Sequence, residues 1–262
     1  MNTRSVASGI IAGFLCVVGC DQGTPPPVTF VVIQPDARPA PMNLRILMLT
    51  GQDDHDWRAT TPLTKRFLEE NGRLKIEVRE TGDDAFEVNG PFDQYDAILF
   101  NFGVQAQVVR GTWQQDIYSY VQAGGGVVNL HYASSAFQDW TGWGELIGRY
   151  WQAEIADHGP YGRFDVTVRR TDHPIMRTIP ATFSTSDELY ENLTVVRPVE
   201  VLATGFSPTT REDAPVLMVR NEGSGRVVNF TLGHDVGARG NGTFQIILRR
   251  ALEWAATGDV VD

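Results

Sequence analysis

Three histidines, His55, His131 and His234, follow apolar runs in this sequence, and their side chains can do chemistry. His131 comes directly after residues 127–130, a short apolar run typical of a buried parallel strand. Imidazole exchanges protons near neutral pH and binds metals such as Zn²⁺. Ligands of open α/β sheets bind outside the carboxyl ends of the strands. We therefore predict that His131 belongs to a functional site. The alternative is a strand-end histidine that only bonds a neighbouring carbonyl group.

The elements that must position these histidines alternate in type along the first half of the chain. Apolar runs predict strands at residues 44–49, 74–78, 95–100 and 127–130. A helix capped by Thr61, with Pro62 at its first position, lies between the first two strands. A second helix begins at a capping box of Thr112 and Gln115. Strand, helix, strand is the doubly wound pattern, so His55 and His131 are expected at one edge of a parallel sheet.

The second half of the chain has shorter alternating runs after Trp151. These runs predict antiparallel additions to the sheet, at residues 164–168, 201–203 and 216–219. A strand at residues 226–232 then precedes His234, and a final helix runs from about Thr243 to Ala256.

The amino terminus has the pattern of a bacterial secretory signal. One positive residue, Arg4, precedes an apolar run at residues 10–18 that is too short for a membrane span, and Cys20 follows Gly19. The ending resembles a lipobox, so residues 1–20 are predicted to be a lipoprotein signal with lipidation at Cys20. Ordinary cleavage and release is the alternative. Residues 21–42 are rich in proline and predict a semi-rigid linker. The expected location is the periplasm or the cell surface of a bacterium, with the protein held on the membrane by its lipid.

Composition excludes several classes of function. The formal charge is −10 and no run of Lys or Arg occurs, so nucleic acid is not an expected partner. Both cysteines, Cys16 and Cys20, lie in the leader. The domain predicted at residues 43–262 therefore has no disulfide, no thiolate metal ligand and no cysteine nucleophile.

Several spaced motifs together resemble the ThuA-like (trehalose utilisation) family over about residues 43 to 258. They are the first-strand loop ending in His55, the G-G-G-V-V-N-L-H run ending in His131, the D-H-P-I turn after Thr171, D-E-L-Y at residues 187–190, and G-x-G-R…L-G-H ending in His234. The resemblance implies a flavodoxin-like, class I glutamine amidotransferase-like α/β fold: a doubly wound, mostly parallel sheet with antiparallel additions. It also implies carbohydrate metabolism, often through 3-keto sugars. In the amidotransferases a cysteine stands where His131 stands here, so glutamine hydrolysis through a thioester is excluded.

Two catalytic readings of the histidines stay open. His55, His131 and His234, with Glu188, could hold a divalent metal such as Zn²⁺ with one open position for water or a sugar carbonyl. Alternatively His131, His234 and Glu188 act as acid and base without metal, for example in β-elimination beside a keto group. Both readings make the chain an enzyme for hydrolysis or β-elimination of a sugar or 3-keto-sugar derivative. A carbohydrate-binding or scaffold lipoprotein without turnover is the rival from another class.

Four further residues are predicted to contact a small carbohydrate ligand: Trp57, Asn101, Tyr132 and His158. Trp57, like Trp140, Trp143 and Trp151, could stack on a sugar ring, but tryptophans pack in cores more often. Arg239 could donate hydrogen bonds to a polyol. His173, before Pro174, is interpreted as a turn residue.

Overall fold

The computed structural model describes residues 43–51, 54–80, 91–103 and 112–261. These residues belong to one compact unit. The predicted signal, Cys20 and the proline-rich linker lie outside the described residues. Within the described ranges, no helix combines the length and the hydropathy that crossing a bilayer requires.

The described chain contains five α-helices and thirteen strands. The helices are α1 (Trp57–Glu69), α2 (Trp113–Gln122), α3 (Thr141–Ile147), α4 (Val236–Arg239) and α5 (Gly242–Thr257). The strands are β1 (Leu44–Thr50), β2 (Leu74–Glu80), β3 (Ala97–Asn101), β4 (Gly126–Leu130), β5 (Arg149–Tyr150), β6 (Asp157–His158), β7 (Gly162–Val168), β8 (Thr182–Asp187), β9 (Tyr190–Glu191), β10 (Thr194–Val195), β11 (Glu200–Phe206), β12 (Asp213–Glu222) and β13 (Gly225–Phe230). Short 3₁₀ helices lie at His131–Ser135 and Pro174–Met176.

A nine-stranded mixed sheet organises the fold, in the order β2-β1-β3-β4-β13-β12-β11-β7-β8. Its first five strands are parallel, and the last four pair antiparallel. The order 2-1-3-4-13 of the parallel half is the flavodoxin-like order. The α/β fold with antiparallel additions is confirmed. The remaining strands form the two-stranded sheets β10-β5 and β6-β9.

Apolar residues on both faces hold the parallel half between helices. Along β1, Ile46 and Met48 pack into the core under α1 and α5, whereas Leu47 and Leu49 pack into the core under α2 and α3. Every residue of β3 and β4 is buried. The carboxyl ends of these strands are therefore held in place by a tightly packed core.

The predicted start of α1 is wrong, whereas α2 begins after Thr112 as predicted but without the predicted capping box. Helix α1 begins one turn before Thr61, because the Asp56 carboxylate accepts from the Ala59 N–H and caps it there. At α2, the Thr112 hydroxyl donates to the Asp116 carboxylate and forms no side-chain cap, so the capping box does not form.

Candidate active site

His131 stands at the point where the central strand β4 ends. Its backbone has φ +48°, in the left-handed region that residues other than glycine seldom adopt. Such a conformation costs on the order of 1–2 kcal/mol and persists only where the surroundings enforce it. Here the Ser134 hydroxyl donates to the His131 carbonyl within the 3₁₀ turn that follows. The strained turn holds the His131 side chain at the carboxyl edge of the sheet.

The three histidines meet at this edge, although His131 and His234 are 103 positions apart in the sequence. His55 comes from the loop after β1, and its Nε2 lies 3.2 Å from His131 Nε2. His234 follows β13, and its ring centroid lies 4.5 Å from that of His55 and 5.5 Å from that of His131. The expectation that strand-end histidines converge is thus confirmed as geometry.

Glu188 joins the cluster from the antiparallel half of the sheet. Its Oε2 lies 3.1 Å from His234 Nδ1 and 3.9 Å from His131 Nε2, and its Oε1 lies 3.6 Å from His158 Nδ1. One ligand atom from each of His55, His131, Glu188 and His234 lies within 4.8 Å of the others. Three imidazoles and one carboxylate therefore surround a single small volume.

Asp187 fixes Glu188 and His234 relative to each other. Its carboxylate is fully buried and accepts backbone N–H groups from Gly233 (2.7 Å), Glu188 (2.9 Å) and His234 (3.2 Å). Burial raises the pKa of Asp187 to about 6, and the three N–H groups oppose that rise. The carboxylate is ionised at neutral pH and connects β8 to the loop after β13.

This connection requires a strongly curved sheet. Strand β8 is four positions from β13 in the strand order. In a flat sheet, steps of about 4.8 Å would separate the two strands by roughly 19 Å. The hydrogen bonds that Asp187 accepts from Gly233 and His234 show that the sheet is not flat and that the antiparallel half curls back over the carboxyl edge. A carboxylate that is remote in strand order thereby reaches the histidines.

The hydrogen bonds of His131 determine which of its nitrogens is available. His131 Nδ1 lies 2.7 Å from the Thr231 carbonyl oxygen. A carbonyl can only accept, so Nδ1 carries the proton and Nε2 presents a lone pair to the cluster. Burial, together with the neighbouring His55, lowers the pKa of His131 well below its ordinary value. His131 is therefore a neutral imidazole at physiological pH.

His234 and Glu188 form the charged side of the cluster. Contact with Glu188 raises the pKa of His234. Burial would raise the pKa of Glu188, but the contact with His234 and the nearby histidines leave it below the usual value. Among the described residues, buried His234 Nδ1 has no well-aligned hydrogen bond despite its 3.1 Å separation from Glu188 Oε2. The two atoms face a shared space more than they face each other.

These four side chains fit a divalent metal. Ligands bound at about 2.0–2.2 Å to a tetrahedral ion lie roughly 3.3–3.6 Å apart. Three of the separations, 3.1, 3.2 and 3.9 Å, lie close to that value, and all the ligand atoms lie within 4.8 Å of one another. Histidine ligands commonly donate their second nitrogen to a backbone carbonyl, as His131 does to Thr231. Imidazole and carboxylate are the ligands that Zn²⁺ and similar ions prefer.

Two tyrosine–aspartate pairs flank the histidines. The Tyr132 ring packs against His55, with centroids 4.7 Å apart, and its hydroxyl donates to Asp54. The Tyr161 ring packs against His234 at 5.3 Å, and its hydroxyl donates to Asp235. Aromatic faces beside carboxylates suit a ligand with apolar ring faces and many hydroxyl groups.

The predicted ligand-binding residues are distributed unevenly. Tyr132 and His158 lie at the cluster. Trp57 instead lines a separate cleft with Lys65 and Glu80, where the Arg58 guanidinium stacks on it. Asn101 is buried and donates to the hydroxyls of Thr50 and Thr61. The Trp57 backbone N–H donates to the His55 carbonyl oxygen, but its indole lies in the other cleft. The ligand-binding roles of Trp57 and Asn101 stay predictions.

The other residues singled out in the sequence have mainly structural surroundings. His173 accepts from the Ile175 N–H in a turn and packs on Trp254, as predicted. Trp143 is a fully buried core residue, and Trp140 packs against the same core. Arg239, interpreted either as a donor to a polyol or as part of a turn, is 2 % exposed and donates to the Gly233 carbonyl and to Thr64.

Sequence reasoning missed Tyr190 as a site residue. Its hydroxyl lies 3.0 Å from His131 Nε2, and its ring packs against Trp151 with centroids 4.6 Å apart. The D-E-L-Y run contained the available signal, because alternation along a strand after Glu188 turns Tyr190 to the same side. The role of Asp187 in holding Glu188 and His234 in place gave no local sequence signal beyond the position of Asp187 in that run.

The comparison with protein families identifies the chain. Residues 45–255 match the ThuA family, described as trehalose utilisation. This chain belongs to the ThuA family. The resemblance read from the motifs is therefore confirmed. A comparison with curated proteins found no match.

Solved ThuA-like structures share the fold. A ThuA-like protein from Parabacteroides merdae ATCC 43184 is 24% identical, with TM-score 0.77, over 84% of this chain and 92% of that chain. A ThuA-like protein from Bacteroides uniformis ATCC 8492 is 18% identical, with TM-score 0.59, over 84% and 95%. A beta-galactosidase from Bacillus circulans sp. alkalophilus is 15% identical, with TM-score 0.53, over 80% of this chain and 30% of that one. At these identities the likeness concerns the fold alone.

Proposed function

We propose that this ThuA-family chain is a metal-dependent enzyme acting on a neutral sugar or keto-sugar derivative, by hydrolysis or β-elimination. His55, His131, His234 and Glu188 hold the ion. One observation supports the proposal most strongly. The four ligand atoms lie within 4.8 Å of one another, and His131 Nε2 presents a lone pair to the space between them. A bound Zn²⁺ would polarise a carbonyl group or acidify a water molecule.

The charges around the cluster support a neutral substrate. Asp54, Asp235 and Glu188 bring negative charge to the crevice, whereas Arg239 is buried and bonded to the Gly233 carbonyl. A bound Zn²⁺ would offset two of these three negative charges, so a phosphorylated or carboxylated substrate would still meet net negative charge. The carboxylates that face the crevice can accept hydrogen bonds from sugar hydroxyls, and Tyr161, at 44% exposure, offers a ring face.

His158 is the proton acceptor in this proposal. Its Nδ1 lies 2.8 Å from the Gly159 carbonyl oxygen, so Nδ1 carries a proton, and in the neutral imidazole Nε2 has the lone pair that a base needs. The side chain is 40% exposed and stands beside Glu188. A base at this position can take a proton from a bound substrate or water molecule without leaving the crevice.

Metal analysis of the purified full chain tests the proposal. We expect one equivalent of bound divalent ion, its removal by a chelator, and its return on adding Zn²⁺. His234→Ala should lower Zn²⁺ affinity at least about 100-fold, because it removes a ligand and exposes Glu188. His173→Ala is the matched control and should bind as the wild type does. A wild-type chain that binds no ion after Zn²⁺ addition would contradict the proposal.

Turnover supplies the second half of that test. The metal-loaded chain should convert a neutral keto-glycoside, and chelation should abolish the conversion. A phosphorylated analogue of the same glycoside should be a poor substrate. Conversion that continues unchanged after complete metal removal would favour acid–base catalysis by the histidines alone.

We also propose that the chain is exported and anchored through lipid on Cys20. The support is the sequence of residues 1–20, with its apolar run and the small residue before Cys20. Cys20→Ser should move the protein from the membrane fraction to the soluble fraction of the producing bacterium. An unchanged distribution would argue against the anchor.

A further inference from the structure

Tyr190 is held against the centre of the histidine cluster. It is 1% exposed, and its ring lies 4.7 Å from the His131 ring at an interplanar angle of 34°. Trp151 packs on the Tyr190 ring as well. The hydroxyl lies 3.0 Å from His131 Nε2. The packing leaves the ring little room to turn, so the hydroxyl stays beside the cluster.

The direction of this hydrogen bond is fixed. Because His131 Nδ1 donates to the Thr231 carbonyl, Nε2 is an acceptor and the Tyr190 hydroxyl donates to it. The same Nε2 atom is a ligand in the proposed metal site. One lone pair cannot serve both the phenol and an ion. Metal binding therefore requires the Tyr190 hydroxyl to give up this acceptor.

We propose that Tyr190 donates a hydrogen bond to the oxygen of a substrate bound at the cluster, once a metal ion has replaced it on His131. This role rests on the proposed function. The hydroxyl lies 3.0 Å from a nitrogen that would bind the ion, so it stays within reach of an oxygen bound to that ion. A carbonyl or hydroxyl oxygen of the substrate, bound there, can accept a hydrogen bond from it. Tyr190 thereby strengthens the binding of oxygen-bearing ligands to the metal-loaded site.

Tyr190→Phe tests this role with two titrations of the full chain. Phenylalanine keeps the ring and its packing against Trp151, and a thermal unfolding curve checks that the fold is retained. Zn²⁺ affinity should stay the same or rise up to about fivefold, since no hydrogen bond must be broken. The affinity of the zinc-loaded chain for acetohydroxamate, an oxygen-donor probe, should fall about five- to twentyfold, which corresponds to the loss of one hydrogen bond.

Tyr118→Phe is the matched control. Tyr118 lies on α2, and its hydroxyl donates to Glu222 and not to a cluster nitrogen. Neither titration should change by more than about twofold in this variant, because no bond to the ion or the probe is lost.

The outcomes separate this role from the proposed function. Zinc affinity that falls tenfold or more in Tyr190→Phe would make Tyr190 a ligand and overturn the role. Unchanged acetohydroxamate affinity with intact zinc binding would reduce Tyr190 to a packing residue. A wild-type chain without zinc affinity would remove the metal site itself, and the first titration alone would show it.

Discussion

The two halves of the sheet contribute to the site in different ways. The parallel half, β2-β1-β3-β4-β13, presents His55, His131 and His234 from the loops after its strands. The antiparallel half, β12-β11-β7-β8, brings Glu188, and the short strand β9 adds Tyr190. The three imidazoles of the proposed metal site thus follow strands of one half, the carboxylate follows β8 of the other, and the phenol comes from the separate sheet β6-β9. A complete site forms only where the second half curls over the first.

Near the site, the two halves are held by different contacts. All five residues of β4 are buried, whereas β8 alternates between buried and exposed positions. Apolar packing on both faces fixes the parallel half. At the site, the antiparallel half is held by polar contacts, above all the hydrogen bonds that the Asp187 carboxylate accepts from three backbone N–H groups. A substitution should therefore damage the two halves through different mechanisms.

The largest effect is expected in the parallel half, for Val128→Asp. Val128 is fully buried in β4, and a carboxylate there has neither water nor a partner. We expect a loss of more than about 4 kcal/mol in the free energy of unfolding, enough to prevent folding. Val195→Asp, at a position that is 61% exposed, should change it by no more than about 0.5 kcal/mol. Circular dichroism and urea unfolding would measure both, and a folded Val128→Asp chain would break the comparison.

A smaller effect is expected where the antiparallel half meets the site, for Asp187→Ala. The substitution leaves three backbone N–H groups without their acceptor. We expect a loss of about 2–4 kcal/mol in stability. Metal affinity should fall about 10- to 100-fold because Glu188 and His234 lose their shared support.

Asp165→Ala is the control for that variant. Asp165 lies on β7, and its carboxylate accepts from the Ser184 hydroxyl in an exposed hydrogen bond. Its loss should cost less than about 1 kcal/mol and leave Zn²⁺ affinity unchanged. Equal effects of the two substitutions would show that Asp187 has no special role in assembling the site.

The smallest effect is expected for Glu69→Gln, at the edge of the parallel half. Glu69 accepts from Lys65 and from the Ile76 N–H. Burial opposes the shift, but these hydrogen bonds lower the pKa of Glu69 below 4.5. The lowered pKa gives a contribution that is present above pH 4.5 and is lost as the pH falls through the folded-state pKa.

Both side chains of this pair are partly exposed, so the contribution should not exceed about 0.5 kcal/mol at pH 7. The stability difference between wild type and Glu69→Gln should shrink further at about pH 3.5. Urea unfolding at the two pH values measures it. A difference that grows toward low pH would reverse the assigned sign.

The parallel half was predictable from the sequence because its determinants are local. Continuous apolar runs mark β1, β3 and β4, and the residue that follows a run stands at the carboxyl edge. His131 and His55 were located in this way. The error at α1 was also local, because Asp56 competes with Thr61 as a cap and lies nearer the actual start.

The curl of the antiparallel half could not be read from local patterns. It depends on contacts between residues 46 or more positions apart, such as those of Asp187 with Gly233 and His234. The choice of Glu188 came from the family motif, and Tyr190 beside it was overlooked. The surroundings of Trp57 could not be read from local patterns either. Trp57 lies in the segment that follows β1, but its side chain lines another cleft.

A double-mutant cycle across the two halves tests the central claim, that both halves bind one ion. His131→Ala removes a ligand of the parallel half, and Glu188→Ala removes the ligand of the antiparallel half. Zn²⁺ affinity of the full chain is measured for the wild type, both single variants and the double variant. Each single variant should bind at least about 100-fold more weakly, and the double variant little more weakly than that, with a coupling of about 1 kcal/mol or more. Strictly additive losses, or a single variant that binds Zn²⁺ as the wild type does, would contradict a site shared between the halves.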